Sequence, residues 1–106
     1  MQTIRIHKSV AKGIKKLNPE LGIQIAEILD LLARGESIGM PLSRPMPDIA
    51  GGSHELRLKD RSGQYRIFYY TKMSDMLMVF HFFKKKSQAT PKKEIDIAQK
   101  RLRSML

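Results

Sequence analysis

Residues 53–83, with the sequence SHELRLKDRSGQYRIFYYTKMSDMLMVFHFF, decide the fold of this chain. Aromatic and aliphatic side chains dominate three segments of this stretch, and two short polar segments separate them. Such side chains favour strands, whereas clusters of Asp, Ser, Gly and Lys favour turns. The sequence therefore predicts strands over residues 53–59, 64–71 and 76–83, arranged as an antiparallel meander.

Helical patterns precede this meander. A short alternating segment, residues 3–7, predicts a strand, and apolar residues then recur at helical spacing over residues 10–17. A second helix is predicted to begin at Asn18 and Pro19, because Asn is a favoured N-cap and proline fits the first turn, and to end at Gly35. We expect the two helices to form an antiparallel pair on one face of the sheet.

The other segments complete the predicted fold. Residues 36–52 contain three prolines and three glycines without a sustained period, which predicts a long ordered loop. Thr90 and Pro91 are predicted to cap a final, basic helix. The sequence thus predicts one α+β domain, residues 1–106, with element order β-α-α-β-β-β-α and a twisted antiparallel sheet.

The charge of the chain indicates an anionic partner. Twenty Lys and Arg residues against ten Asp and Glu residues give a net charge of +10. Residues 84–106 carry eight basic and two acidic residues, whereas residues 19–52 carry two basic and five acidic residues. Nucleic acid, an anionic membrane or an acidic protein would each complement such a surface. A well-solvated cationic surface would explain scattered lysines but not these clusters.

Several classes of protein and site are disfavoured by the composition. The chain has no cysteine, which leaves no disulfide framework and no thiolate metal site. It has no apolar run of the roughly 18 residues that a membrane span needs, and its first ten residues lack the apolar core of a signal peptide. We therefore expect a cytoplasmic protein with no membrane partner.

The hairpins predict a row of basic side chains on one face of the sheet. With two or four residues in each turn, Arg57 lies opposite Arg66, and Arg66 lies opposite His81. Lys59 and Lys85 then project from the same face, because side chains alternate along a strand. Two arginines placed opposite each other repel, so this pair favours a shared bound phosphate. Alternatively, the two arginines diverge to separate carboxylates such as Glu55.

His81 and the lysines near it have two interpretations each. His81 is either a packed, hydrogen-bonded residue or a base whose pKa the two arginines lower. The run 84–86 is either an ordinary solvated surface or, together with the basic residues of the last helix, a surface that follows an RNA backbone. We favour the RNA surface, and its predicted members are Lys59, Lys84, Lys86, Lys92 and Lys93.

Metal-dependent chemistry is not expected. The three histidines, at positions 7, 54 and 81, do not have the spacing of metal ligands, and the carboxylates do not cluster as in a two-metal nuclease. We expect no cofactor. Cleavage of a phosphodiester would then use the 2′-hydroxyl of the RNA as nucleophile, with the protein supplying charge and proton transfer.

The basic row and the segments around it resemble the phage-derived, HigB-like branch of the RelE/ParE toxin superfamily. The resemblance lies in residues 41–45 (PLSRP), 54–57 (HELR), 65–70 (YRIFYY) and 81–86 (HFFKKK), followed by Thr90, Pro91 and the last helix. It covers roughly residues 14 to 106. Glu55 stands where some relatives carry lysine, and the tyrosine that some relatives have near the last helix has no counterpart.

The resemblance implies a RelE-like fold and a toxin that cleaves mRNA in the ribosomal A site. It also implies inhibition by a cognate antitoxin, often a helix-turn-helix protein of the same operon. By position, Arg57 and Arg66 correspond to phosphate-binding arginines, and Lys85 and Lys86 to the basic loop. The expected catalytic set is Arg57, Arg66, His81 and Lys85.

Two other functions stay open at this point. A ParE-like protein would inhibit DNA gyrase without cutting RNA, and proteins of one fold often differ in this way. The chain could also be an inert binding module from a phage operon. A nuclease needs the row formed by Arg57, Arg66 and His81, whereas a gyrase inhibitor does not.

Overall fold

The structure is a computed structural model, and it describes residues 1–86 and 88–106 as an α+β arrangement. In chain order the elements are β1 (Thr3–Ile6), α1 (Lys8–Lys15), α2 (Pro19–Ala33), β2 (Ser43–Pro45), β3 (Ser53–Asp60), β4 (Gly63–Tyr70), β5 (Met76–Lys85) and α3 (Lys92–Met105). The predicted strands of the meander agree with β3, β4 and β5 to within two residues at each end. No helix in the described ranges has the length and apolar character to span a membrane.

The five strands form one mixed sheet in the order β1-β5-β4-β3-β2. The meander of β3, β4 and β5 is antiparallel, as predicted. However, β1 pairs with β5 in parallel, so the prediction of a wholly antiparallel sheet is wrong. Local patterning identifies β1 as a strand, but its direction in the sheet depends on how the helix pair carries the chain across one face.

The predicted long loop contains a strand that the sequence analysis missed. Strand β2 pairs antiparallel with β3, with Ser43 opposite Leu56 and Pro45 opposite His54. Its three residues are too few to show a period, and proline in a segment argues against a central strand. Proline is tolerated because β2 is at the edge of the sheet.

Each face of the sheet has its own apolar core. The helix pair packs on one face, as expected, where Val10 of α1 and Ile25 of α2 contact a buried cluster that includes Leu56, Ile67 and Val79. Helix α3 packs on the other face, and its buried residues Ala98, Leu102 and Met105 contact Phe68, Met78, Phe80 and Phe83. The alternation of side chains along β3 and β4 sends Leu56 and Ile67 to the first face, and Glu55, Arg57, Arg66 and Phe68 to the second.

The helix ends agree with the predictions for α2 but not for α3. The Asn18 side chain accepts a hydrogen bond from the backbone N–H of Glu20, and Gly35 follows the helix with a φ of +93°. In α3 the N-cap is Pro91, which offers no side-chain hydrogen bond. The prediction that Thr90 caps this helix is wrong, because the Thr90 hydroxyl donates instead to Glu55 Oε2 at 2.7 Å.

Candidate functional site

The predicted pairing of the two arginines is confirmed. Arg57 lies opposite Arg66 in the ladder between β3 and β4, and the turn between these strands holds two residues, with Asp60 paired to Gly63. Gly63 has a φ of +147°, which favours glycine at this position. The short turn therefore places two guanidinium groups on the face of the sheet that α3 covers in part.

The predicted pairing of Arg66 with His81 is wrong. Arg66 lies opposite Phe83, and His81 lies opposite Phe68. The connection between β4 and β5 is longer than four residues, and a β-bulge shifts the register, since Phe68 pairs with His81 whereas Tyr69 pairs with Val79. His81 stays on the same face as Arg66 but is displaced along the strand.

The arginines converge on a single buried carboxylate. Atom Oε1 of Glu55 lies 3.3 Å from Arg44 Nε, 3.7 Å from Arg66 Nε and 4.0 Å from Arg57 Nε. The Glu55 side chain is 1% exposed, whereas Arg44 and Arg57 are 43% and 32% exposed. The alternative in which Arg57 and Arg66 diverge to separate carboxylates is therefore wrong. Three guanidinium groups around one carboxylate leave a local excess of positive charge.

Arg66 is the most constrained member of this arginine cluster. Its side chain is only 4% exposed. Its Nη1 donates to the backbone carbonyl of Tyr65 at 3.0 Å, and its Nη2 donates to Gln64 Oε1 at 3.2 Å. Burial lowers the pKa of Arg66 while Glu55 opposes this shift, and a guanidinium stays charged throughout the physiological range. The fold therefore fixes a permanent cation.

A basic cleft opens beside the arginine cluster. Its volume is about 570 Å³. It is lined by Arg57, Gln64, Arg66, Lys85, Lys86 and Gln88. Burial lowers the pKa of Lys85, and the positive charges of Arg66, Arg57 and Arg44 lower it further, although Glu55 raises it. The cleft thus combines fixed guanidinium groups with an amine that gives up its proton more readily than an ordinary lysine.

His81 does not line this cleft. Its side chain is 4% exposed and lies under α3, with Nε2 2.8 Å from Glu94 Oε1 and Nδ1 2.9 Å from Arg101 Nη1. Because a guanidinium can only donate, Nδ1 accepts from Arg101 and the ring carries its proton on Nε2, which donates to Glu94. The interpretation of His81 as a packed, hydrogen-bonded residue therefore fits the structure.

The pKa of His81 is lowered, as predicted, but for a different reason. Burial is the main cause, and the Arg101 guanidinium adds to it, while the hydrogen bond to Glu94 opposes it. The predicted cause was the pair Arg57 and Arg66, and neither of them contributes to the shift. The neutral ring joins β5 to α3.

The structure brings some of the predicted RNA-binding lysines together. Lys59 projects from the face that carries Lys85, because both pair with Gln64 across neighbouring ladders, and Lys86 lines the basic cleft. Lys84 alternates to the other face near Gly63, but with Lys86 and Lys93 it also lines a cavity of about 400 Å³ at the start of α3. Lys92 and Lys93 are exposed in the first turn of α3, and Lys92 forms an ion pair with Asp96 at 3.5 Å.

Sequence reasoning assigned no role to Arg44. This arginine is in the missed strand β2, directly opposite Glu55. The one feature of the sequence that could have identified Arg44 is its position in residues 41–45 (PLSRP), a segment that carries part of the family resemblance. Without the pairing of β2 and β3, nothing in the sequence connects Arg44 with Arg57 and Arg66.

Comparison with protein families identifies a match over most of the chain. A family model described as "Phage derived protein Gp49-like (DUF891)" matches residues 12–103. No curated protein matches the chain. The matched range contains β2, the meander and almost all of α3, so it includes every side chain of the arginine cluster and the basic cleft.

Proposed function

The chain belongs to the family of phage-derived Gp49-like proteins, and from this membership we propose that it is the toxin of a type II toxin–antitoxin pair. We propose further that it is a RelE/HigB-like endoribonuclease, which cleaves mRNA on the ribosome. The family is consistent with such a toxin. The observation that carries the nuclease proposal is the convergence of Arg44, Arg57 and Arg66 on Glu55 beside the basic cleft.

The arginine cluster is suited to binding a phosphodiester. Glu55 neutralises one of the three guanidinium charges that lie within 4.0 Å of its Oε1, so two positive charges remain to attract an anion. Hydrogen-bond donors that are fixed before the reaction stabilise the charge that develops on phosphate oxygens without reorganisation. In this proposal Arg57 and Arg66 bind the scissile phosphate, and Arg44 adds a third, more exposed cation.

The proposed reaction needs no metal ion. Among the described residues no group of three His, Asp or Glu side chains is arranged to hold one. The 2′-oxygen of the RNA forms a bond to the adjacent phosphorus, and the bond from phosphorus to the 5′-oxygen breaks. The products are a 2′,3′-cyclic phosphate and a 5′-hydroxyl. One proton leaves the 2′-hydroxyl, and one proton must reach the departing 5′-oxygen.

Lys85 is the proposed proton-transfer group. It lines the basic cleft, and its lowered pKa brings the amine closer to the pH at which it both accepts and donates protons. His81 is a poorer candidate because Arg101 and Glu94 occupy both of its ring nitrogens under α3. We therefore assign His81 a structural role in this mechanism.

The proposed partners are the ribosome with its mRNA and a cognate antitoxin, expected to be a helix-turn-helix protein. A chain with a net charge of +10 is complemented by rRNA and by an acidic segment of an antitoxin. An antitoxin that covers the basic cleft would block the phosphate site directly.

Expression of the toxin in bacteria, with mapping of mRNA ends, tests the proposal. We expect growth arrest and cuts phased with codons in translated regions. Arg66→Ala should lower the cleavage rate by about 10²- to 10³-fold, because it removes one fixed donor to the transition state. The matched control is Arg34→Ala, which removes an exposed arginine at the C-cap of α2 whose partner is Asp30.

The outcomes separate the candidate functions. Codon-phased cuts that vanish in Arg66→Ala and persist in Arg34→Ala support the nuclease. Intact mRNA with DNA damage would contradict it and indicate a gyrase inhibitor. Full toxicity of a folded Arg66→Ala protein would show that the arginine cluster is not needed for cleavage.

A further inference from the structure

A second cavity adjoins the basic cleft and differs from it in character. Its volume is about 530 Å³, within the range of about 300–1,000 Å³ that is typical of small-molecule sites. It shares Arg57, Gln64 and Arg66 with the basic cleft. Its remaining walls are Gln24, Pro41, Leu42, Leu58 and Lys59. Arg57, Gln64 and Arg66 thus border two spaces, and only the second adds the aliphatic walls of Pro41, Leu42 and Leu58.

We propose that this second cavity, called here the base pocket, binds the nucleobase next to the phosphate that Arg57 and Arg66 hold. The inference rests on the proposed function, since it assumes an RNA strand in the basic cleft. The strand would then continue along Lys85 and Lys86 on the other side of the phosphate. The base pocket would give the protein a preference among nucleotides, which the arginine cluster alone does not supply.

The apolar walls fit the flat faces of a base. Leu42 is 39% exposed, so its side chain offers apolar surface to a ligand in this pocket. Its backbone is fixed, because the Arg57 N–H donates to the Leu42 carbonyl at 2.7 Å. A planar ring placed over Pro41 and Leu42 would remove apolar surface from water without a rearrangement of the loop.

The amide of Gln64, which lines the base pocket, carries a donor that a bound base could use. Arg66 Nη2 donates to Gln64 Oε1 at 3.2 Å, and a guanidinium cannot accept a hydrogen bond. The carbonyl of this amide therefore faces Arg66, and its NH₂ group is directed elsewhere. We infer that this NH₂ group donates to an acceptor on the base edge, such as a carbonyl oxygen or an unprotonated ring nitrogen. Gln24 of α2 offers a second amide in the same pocket.

Titration of isotope-labelled protein, followed by NMR, tests this inference. The probes are inorganic phosphate, ribose 5-phosphate and the four nucleoside 3′-monophosphates. We expect phosphate to shift the resonances of Arg57, Arg66 and Lys85 only. At least one nucleotide should also shift Gln24, Leu42 and Leu58, and it should bind about five- to tenfold more tightly than ribose 5-phosphate, as partial burial of a base predicts.

Variants of exposed leucines provide the matched control. Leu42→Ala should weaken the binding of that nucleotide by about fivefold, because the variant removes apolar contact area, and should leave phosphate binding unchanged. Leu31→Ala removes a leucine of similar exposure, 45%, from α2 outside the pocket, and should change neither affinity. Gln64→Met keeps the length of the side chain without its donor, and should reduce the differences in affinity among the four nucleotides.

Failure of the base pocket is distinguishable from failure of the proposed function. If ribose 5-phosphate and all nucleotides bind equally and Leu42→Ala has no effect, the base pocket is wrong while the phosphate site stands. If neither phosphate nor any nucleotide shifts Arg57 and Arg66, both the base pocket and the phosphate site are wrong.

Discussion

At Glu55 the chain places a carboxylate, almost fully buried, among three arginines. Exposed ion pairs contribute only about 0–1 kcal/mol, and a buried pair loses much of its Coulomb energy to desolvation. These ion pairs therefore matter more for the positions of the guanidinium groups than for the stability of the fold. Arg57 and Arg66, which would repel each other across the ladder, are held side by side because one carboxylate lies between them. Thr90 fixes this carboxylate from the segment that leads into α3.

Lys85 is the residue for which charge and proton transfer can be separated. Lys85→Arg keeps the positive charge but has a group that does not release its proton at any ordinary pH. We expect this variant to bind RNA as the wild type does but to lose cleavage by about 10²- to 10⁴-fold, the usual contribution of acid–base catalysis. Lys85→Ala should weaken both binding and cleavage. Single-turnover rates on programmed ribosomes measure the effect, and rapid cleavage by Lys85→Arg would show that Lys85 acts only through its charge.

The positions of individual residues were predictable where the chain geometry is local. Arg57 and Arg66 are separated by a tight two-residue turn, so their pairing follows from the sequence. His81 is separated from Arg66 by a longer connection and by a β-bulge, and no sequence pattern predicts this bulge. The neighbours of His81, Glu94 and Arg101, come from α3, and contacts between elements so far apart cannot be read from spacing.

At the scale of elements, α3 is joined to the sheet by polar contacts as well as by its apolar face. His81 of β5 forms hydrogen bonds with Glu94 and Arg101, and Arg5 Nη1 of β1 donates to the carbonyl of Met105 at 2.9 Å. Arg101 donates to a neutral imidazole, so protonation of His81 would break this bond and place two cations together. The attachment of α3 is therefore expected to depend on pH.

His81→Gln should remove part of the pH dependence of folding. In the folded protein the pKa of His81 lies below its ordinary value of 6.5, mainly because of burial. As the pH falls below about 6.5, the unfolded chain takes up a proton that the folded chain excludes, so stability is present above this pH and declines below it, by at most about 1.4 kcal/mol per pH unit. Glutamine does not titrate but still offers a donor and an acceptor.

Urea unfolding at pH 7.5 and pH 5.5 measures this effect. The free energy of unfolding should fall more for the wild type than for His81→Gln. His7→Gln is the control for a second histidine whose pKa is lowered by burial and by Arg101 and Lys8. Equal losses for the wild type and His81→Gln would contradict the neutral, hydrogen-bonded assignment of His81.

Two elements were predicted incompletely for different reasons. Strand β1 was recognised, but its parallel pairing with β5 depends on a long crossover and not on its own four residues. Strand β2 was read as loop because it has three residues and ends in proline. This second error mattered for the site, since β2 carries Arg44 into the arginine cluster. Long elements with a regular period, such as α2, were predicted correctly at both ends.

At the scale of the whole molecule, the net charge of +10 predicts RNA binding that weakens steeply with salt. Lys86 lines the basic cleft, whereas Lys15 is exposed at the end of α1, away from the cleft. Each substitution by alanine removes one charge. Only Lys86→Ala should reduce the slope of log K against log salt, by about 0.7 for one contact to a single strand.

An RNA oligonucleotide with 2′-O-methyl groups serves for the titration, because it cannot be cleaved by 2′-attack. Equal slopes for Lys86→Ala and Lys15→Ala would contradict the proposed path of the RNA along the basic cleft.

The same charge bears on the proposed antitoxin. If the antitoxin covers the basic cleft with an acidic segment, the complex should weaken as salt is added, because screening reduces attraction between exposed charges. A complex that is unchanged at 1 M salt would indicate that apolar contacts elsewhere, such as over the helix pair, hold the two proteins together.

The central claim is that the arginine cluster promotes attack by the 2′-oxygen of mRNA, and the most direct measurement uses one modified nucleotide. The purified protein is added to ribosomes carrying a defined mRNA, either unmodified or with a single 2′-O-methyl group at the position of proposed cleavage. We predict that the unmodified mRNA yields a 5′-hydroxyl and a 2′,3′-cyclic phosphate, and that the methylated mRNA is not cut at that position. Cleavage of both mRNAs to 5′-phosphate ends, or no cleavage of either, would contradict the account.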